Sequence, residues 1–127
     1  MSSERPWLAH YPAGVPAEID LDEFASINDI FDSAVKKYRD KTAFISMGKS
    51  ITYGDLERLS RDFAGYLLGE LKLKKGDRVA IMMPNCLQYP IAILGVLRAG
   101  LTVVNTNPMY TARELKHQLV DSGASVL

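Results

Sequence analysis

The sequence predicts an α/β protein: an N-terminal β-hairpin and helices, followed by a βαβαβ parallel-sheet unit. Three observations carry that prediction. The second half of the chain alternates short β-favouring runs with helical periodicity, the order of a parallel sheet with right-handed crossovers. The first half sets two amphipathic helical patterns around a pair of β-favouring runs that flank a glycine turn. The composition, 127 residues of which 47% are hydrophobic and 24% charged, is enough to build a packed core.

Residues 1–25 carry three of the six prolines, Pro6, Pro12 and Pro16. They predict an extended arm that lays Trp7, Leu8 and Tyr11 across another surface rather than a helix of its own. Regular structure begins near Ser26, an N-cap candidate with Asp29 three residues on. Ile27, Ile30, Phe31, Ala34, Val35 and Tyr38 then recur at the helical period. Residues 42–47 form a short apolar run, Gly48-Lys49-Ser50 supplies turn chemistry, and Ile51-Thr52-Tyr53 is a second β-favouring run, together a hairpin. Leu56, Leu59, Phe63, Leu67 and Leu71 mark the next helix. Lys72, Lys74 and Lys75 gather at its end, where the helix dipole favours cations.

Lys75-Gly76-Asp77 turns the chain into a strand at residues 78–83, which Pro84-Asn85 breaks. A helix over residues 87–99 is apolar on nearly every face, and residues 101–105 form a second strand. Thr111-Ala112-Arg113-Glu114 fits a capping box opening a helix to Ser122, and Gly123 closes it in the left-handed conformation. Residues 124–127 enter a third strand. An exposed face carrying Ile91, Ile93, Leu94, Val96 and Leu97 would cost solubility, so more protein or a partner is expected over this unit.

Fifteen basic and fifteen acidic residues cancel, which leaves no general attraction for phosphates and argues against a nucleic-acid partner. One cysteine, Cys86, and two histidines, His10 and His117, offer neither an intramolecular disulfide nor a zinc set, in keeping with a reducing, cytoplasmic setting. The first residues lack the apolar core of a signal peptide. The longest uncharged apolar stretch, residues 89–97, falls short of the roughly 20 residues that span a bilayer. A peripheral membrane contact is left open.

Gly48-Lys49-Ser50 does not complete a phosphate loop, because Ala43 stands where the leading glycine belongs and a strand-like run follows where a helix should open. Lys72, Lys74, Lys75 and Arg78 are explained by a helix end and a surface turn, Cys86 by packing at an apolar helix edge, and His117 by a solvated face. The segment Asn105-Thr106-Asn107-Pro108-Met109-Tyr110 is different. It follows the C-terminal end of a parallel strand, where open α/β sheets place ligands, and it concentrates amide, hydroxyl and phenol groups beside a rigid proline. Asn105, Asn107 and Tyr110 are the substrate-binding candidates. The alternative is a loop whose polar groups serve only to cap the next helix.

Ile51-Thr52-Tyr53-Gly54-Asp55-Leu56, then residues 75–85 beginning Lys75-Gly76-Asp77-Arg78-Val79, then Leu97-Arg98-Ala99-Gly100, resemble the opening motifs of AMP-forming, adenylate-forming enzymes. Asn107-Pro108-Met109-Tyr110-Thr111-Ala112-Arg113-Glu114-Leu115, with Trp7, Tyr11-Pro12-Ala13 and Val15-Pro16, is closer still to the bacterial long-chain fatty acid CoA ligases of that superfamily. The likeness runs over nearly the whole chain. Asp55 stands where the family usually has glutamate and Ala112 where long-chain members often have proline.

The resemblance implies that residues 26–127 are the N-terminal part of an AMP-binding domain, truncated. It implies a two-step reaction in which a fatty acid carboxylate attacks the α-phosphate of ATP, with Mg²⁺, and coenzyme A then displaces AMP from the acyl-adenylate. The family's phosphate loop, ribose-binding aspartate, acidic metal residue and catalytic lysine lie later in the chain. No catalytic or metal residue is therefore expected in residues 1–127, no cofactor is expected on them alone, and they are expected to be inactive alone. Some long-chain members form homodimers through N-terminal segments, and the arm would suit such exchange. The alternatives are a medium-chain, aryl or amino acid substrate within the same superfamily, or a stand-alone interaction or nucleotide-binding module.

Overall fold

Side-chain oxygens start three of the four helices. Ser26 Oγ accepts from the Asp29 N–H at the head of α1 (Ile27–Tyr38), and Thr52 Oγ1 from the Asp55 N–H at the head of α2 (Tyr53–Gly69). Thr111 and Glu114 form the full capping box of α4 (Ala112–Ser122), and Gly123 ends that helix at φ 61°. The computed structural model describes residues 5–127, and the first four residues of the expected arm lie outside it. Within the rest of the arm, Pro6–His10 wind into a single 3-10 turn where an extended segment is expected, because a proline at the first position presets the helical φ. Trp7 remains 53% exposed and Tyr11 42%, so neither ring is buried among the described residues.

Strands β1 (Thr42–Ser46) and β2 (Lys49–Thr52) pair antiparallel, with Ser46 opposite Lys49. The loop is therefore Met47-Gly48, not the predicted Gly48-Lys49-Ser50. A two-residue hairpin of the type I′ hand needs positive φ at both positions, and Met47 (50°) and Gly48 (74°) supply it. Lys49 and Ser50 are strand residues, which removes the last structural basis for a phosphate loop there. Helix α2 stops at Gly69, so Lys72, Lys74 and Lys75 lie beyond its last turn and not within it. Arg78 acts locally, its guanidinium donating to the Ser122 carbonyl at 2.9 Å, at the C-terminal end of α4.

The parallel unit is laid out as the alternation predicts, with shorter elements. Strand β3 (Arg78–Ile81) pairs in register with β4 (Thr102–Asn105), Arg78 facing Thr102 and Ile81 facing Asn105. The expected third strand is reduced to one parallel bridge, Val79 to Val126, on the other side of β3. It is held by Ala80 N–H to Val126 O at 2.8 Å and Ser125 N–H to Arg78 O at 2.9 Å. The β3-to-β4 and β4-to-Val126 crossovers run in opposite directions, which for right-handed connections sends their helices to opposite faces.

Helix α3 (Gln88–Arg98), apolar on nearly every face, is covered from two sides by this chain. Ala92 and Val96 pack into the cluster on β3 and α2 with Leu67, Val79 and Ile81. Ile91 and Leu94 pack toward the cluster of Phe31, Val35, Ile51 and Leu56 from α1, β2 and α2. The cover expected from further protein is thus partly supplied within residues 26–127. Helices α2 and α3 approach closely at Gly95, where a built Cβ would stand 2.9 Å from the Ser60 carbonyl oxygen. One charged network crosses the same three helices: Arg98 meets Asp32 at 3.2 Å and Glu57 at 3.9 Å, and Arg61 pairs with Glu57. Glu57, on the inner face of α2, is buried, and Arg98 also lies over the Phe31 ring.

Candidate functional site

The C-terminal ends of β3 and β4 are adjacent, so the loops that leave them face each other across a cleft. The β3 side contributes Met83 and Asn85, the head of α3 contributes Tyr89, and the β4 side contributes Asn105, Thr106, Asn107, Pro108 and Tyr110. All three residues singled out in the sequence, Asn105, Asn107 and Tyr110, line this one cavity of about 320 Å³. Side chains with formal charge are absent from its lining.

Each part of the loop is fixed by a bond the backbone dictates. Thr106 is buried; its N–H donates to Ile81 O at 3.0 Å and its hydroxyl to Val104 O at 3.3 Å, which continues the β3 ladder one residue past the strand. Asn107 Oδ1 accepts the Met109 N–H at 2.9 Å, an Asx turn, and Tyr110 N–H closes the turn onto Asn107 O at 3.1 Å. Thr111 then starts α4. The Glu114 carboxylate accepts from both the Thr111 N–H (2.8 Å) and its hydroxyl (2.7 Å), and the hydroxyl bond, then the backbone bond, hold that carboxyl below its usual range. Helix capping and the lining of the cleft are therefore carried by different residues: Thr111 and Glu114 cap, while Asn105, Asn107 and Tyr110 line the cleft.

Two residues that the sequence did not single out organise the site. Tyr89, at the head of α3, donates its hydroxyl to Asn105 Oδ1 at 2.8 Å. Gln118, in the second turn of α4, donates its amide to Asn105 O at 2.9 Å. Asn105 is thus a junction between α3, β4 and α4. The signal available in the sequence is a single phenol, Tyr89, on a largely apolar helix, because a tyrosine hydroxyl drawn into a packed interface needs a hydrogen-bond partner.

Tyr89 and Asn85 also line a second cavity, an apolar groove of about 450 Å³ walled by Phe44, Ile45, Leu87, Pro90, Ile93 and Leu94, with half-buried Cys86. His117 is not among the residues that line the cleft; it lines a neighbouring pocket with Arg113, Glu114 and Asp121, and Tyr110 belongs to both. Among the described residues, no three His, Cys, Asp or Glu side chains are grouped to hold a metal ion.

Comparison with known proteins agrees with this architecture. The AMP-binding enzyme family matches residues 31–127. The long-chain-fatty-acid–CoA ligase of Yersinia pestis is 60% identical over 121 residues, 95% of this chain and 22% of that protein. Among solved structures, the putative long-chain-fatty-acid CoA ligase of Rhodopseudomonas palustris superposes with a TM-score of 0.74 at 28% identity, covering 82% of this chain and 26% of that one. The Klebsiella oxytoca NpsA N-terminal subdomain in complex with 3-hydroxyanthranilyl-AMSN gives 0.73 at 29% identity, over 78% of this chain and 25% of that one. The chain spans 22% of the length of the first curated relatives it matches.

Proposed function

The chain belongs to the AMP-binding enzyme family, and from that premise we propose that it is part of an ATP-dependent long-chain fatty acid CoA ligase. In that enzyme it supplies scaffold and one wall of a substrate cleft. The observation that carries this reading is the 60% identity to a bacterial protein of that name over 95% of the chain. In the reaction, a fatty acid carboxylate oxygen attacks the α-phosphorus of ATP and pyrophosphate leaves. The coenzyme A thiolate then attacks the acyl carbonyl and AMP leaves. Such steps need cationic or metal neutralisation of the transferring group. In this reading the Mg²⁺ ion that accompanies ATP is held by other parts of the enzyme. This segment's own share is to position the β4–α4 loop: Asn105, Asn107 and Tyr110 contact substrate and Thr106 anchors them.

No helix among the described residues is long and apolar enough to cross a membrane. We place the enzyme in the cytoplasm with a peripheral membrane contact, and its homodimer contact on the arm. Exposed Trp7, Ile19 and Leu21 support both placements. Light scattering and vesicle flotation check them: a monomer that does not float would contradict both.

The test of the substrate is pyrophosphate release by the full-length polypeptide carrying this segment, across palmitate, octanoate, benzoate and amino acids. Palmitate is expected to turn over fastest. A second reading, an aryl substrate in the same superfamily, is favoured by one observation, the likeness to a subdomain solved with 3-hydroxyanthranilyl-AMSN, and preference for benzoate would establish it. Tight ATP binding to residues 1–127 alone would instead favour a stand-alone nucleotide-binding module.

A further inference from the structure

We propose that the cleft beyond β3 and β4 is a neutral, donor-lined cradle for the acceptor oxygens of a carboxylate or phosphate group, with Tyr89 as its positioning residue. The proposal rests on the reading above only in taking the cleft to be a substrate site. A primary amide carries an acceptor oxygen and a donor nitrogen on opposite sides of one carbon, so engaging the oxygen fixes where the N–H₂ group goes. Both asparagines of the loop have their oxygens engaged by the protein. Asn105 Oδ1 takes the Tyr89 hydroxyl at 2.8 Å, and Asn107 Oδ1 takes the Met109 N–H at 2.9 Å. Neither Nδ2 donates to a partner among the described residues, and both side chains line the cleft.

The Tyr89 ring packs against the core cluster of Val96 and Ile81, so the hydroxyl that sets Asn105 is itself held by packing. No carboxylate lines the cleft. The nearest acid along the chain, Glu114, spends its carboxylate on Thr111. An incoming anion therefore meets two oriented donors and no fixed negative charge, whereas a cation meets no anionic acceptor. Because the donors are neutral, recognition is directional and weak, with a Kd on the order of 1–10 mM for a small anion.

The experiment follows the side-chain amide signals of Asn105 and Asn107 in the ¹⁵N-labelled 127-residue chain. Inorganic phosphate or sodium acetate is added in separate arms, against sodium chloride of equal ionic strength. The proposal expects saturable shifts of both N–H₂ groups in at least one arm, and the arm that saturates identifies phosphate or carboxylate as the group recognised. Asn105→Asp keeps the acceptor oxygen for Tyr89 and replaces the donor by a carboxylate; it should weaken binding at least tenfold. Tyr89→Phe should abolish the Asn105 shift and leave that of Asn107, which a merely stabilising tyrosine would not do. If the labelled chain gives no dispersed spectrum, the same signals are followed in the full-length polypeptide. No saturable shift in either arm, or Asn105→Asp binding as the parent does, overturns the proposal. Fatty acid activation without these shifts would sink the cradle alone, and shifts without fatty acid activation would sink the ligase reading alone.

Discussion

Replacing Gly95 by alanine tests the helix crossing on which both core clusters depend. The added Cβ would stand 2.7 Å from Phe63 Cδ1 and 2.9 Å from the Ser60 carbonyl oxygen, well inside the roughly 3.5–4.0 Å of an optimal contact. The phenyl ring can swing, but the Ser60 oxygen is α2 backbone, so relief requires α2 and α3 to part. Those helices carry Leu67 and Val96, which are 1% and 0% exposed. Overpacking of this kind costs about 1–3 kcal/mol, and alanine recovers about 1 kcal/mol through helix propensity. A clash against backbone belongs at the upper end of that range, which leaves a net loss of about 1–2 kcal/mol and lowers Tm by on the order of 5 °C. Gly65, also on α2, has nothing within 4 Å of its built Cβ, so Gly65→Ala should gain about 0.5–1 kcal/mol. Urea unfolding of both variants is the assay. If Gly95→Ala matched the parent or gained as Gly65→Ala does, the close crossing would be refuted.

Thr111→Ala removes the α4 cap at a cost of about 1 kcal/mol; since α4 buries no residue fully, the loss should appear as about fivefold faster amide exchange confined to that helix. The same box gives an acid dependence. The folded carboxyl of Glu114 titrates below its ordinary 4.5, so its contribution is complete above that value and fades as pH falls through the lower folded one. Glu114→Gln should remove this dependence from α4 exchange, and its persistence would contradict the assignment. Arg98→Ala strips Asp32 of its partner and leaves buried Glu57 with Arg61 alone; about 2 kcal/mol is expected by urea unfolding, below the about 3–5 of a fully buried pair because Arg98 is partly exposed. Met47→Asn should raise stability by about 0.5–1 kcal/mol, since asparagine tolerates the left-handed turn position better than methionine.

Local chemistry was legible in the sequence. Ser26, Thr111 with Glu114, and Gly123 act where their residue types place them, because a cap needs only its own neighbours. The alternation from Arg78 onward revealed the parallel pair, and the position of the β4–α4 loop at the strand ends marked the cleft that Asn105, Asn107 and Tyr110 line. Contacts between distant residues were not legible. The double cover of α3 joins residues from Phe31 to Leu101, and the bonds from Tyr89 and Gln118 to Asn105 depend on how three elements meet. The turn shifted to Met47-Gly48 because strand register, not residue preference alone, decides which two positions take positive φ. The lysines after Gly69 were misplaced for a related reason: leucine periodicity continued to Leu71 after the helical hydrogen bonds had stopped.

The central claim, that these residues frame an acyl-activating site while its phosphate chemistry is carried by other parts of the enzyme, is tested most directly by measuring palmitoyl-CoA formation from ATP, Mg²⁺, palmitate and coenzyme A. The 127-residue chain and the full-length polypeptide carrying it are assayed side by side at equal concentration. The account predicts turnover by the full-length polypeptide and none above background by the 127 residues; thioester formation by the short chain alone, or none by the long one, would contradict it.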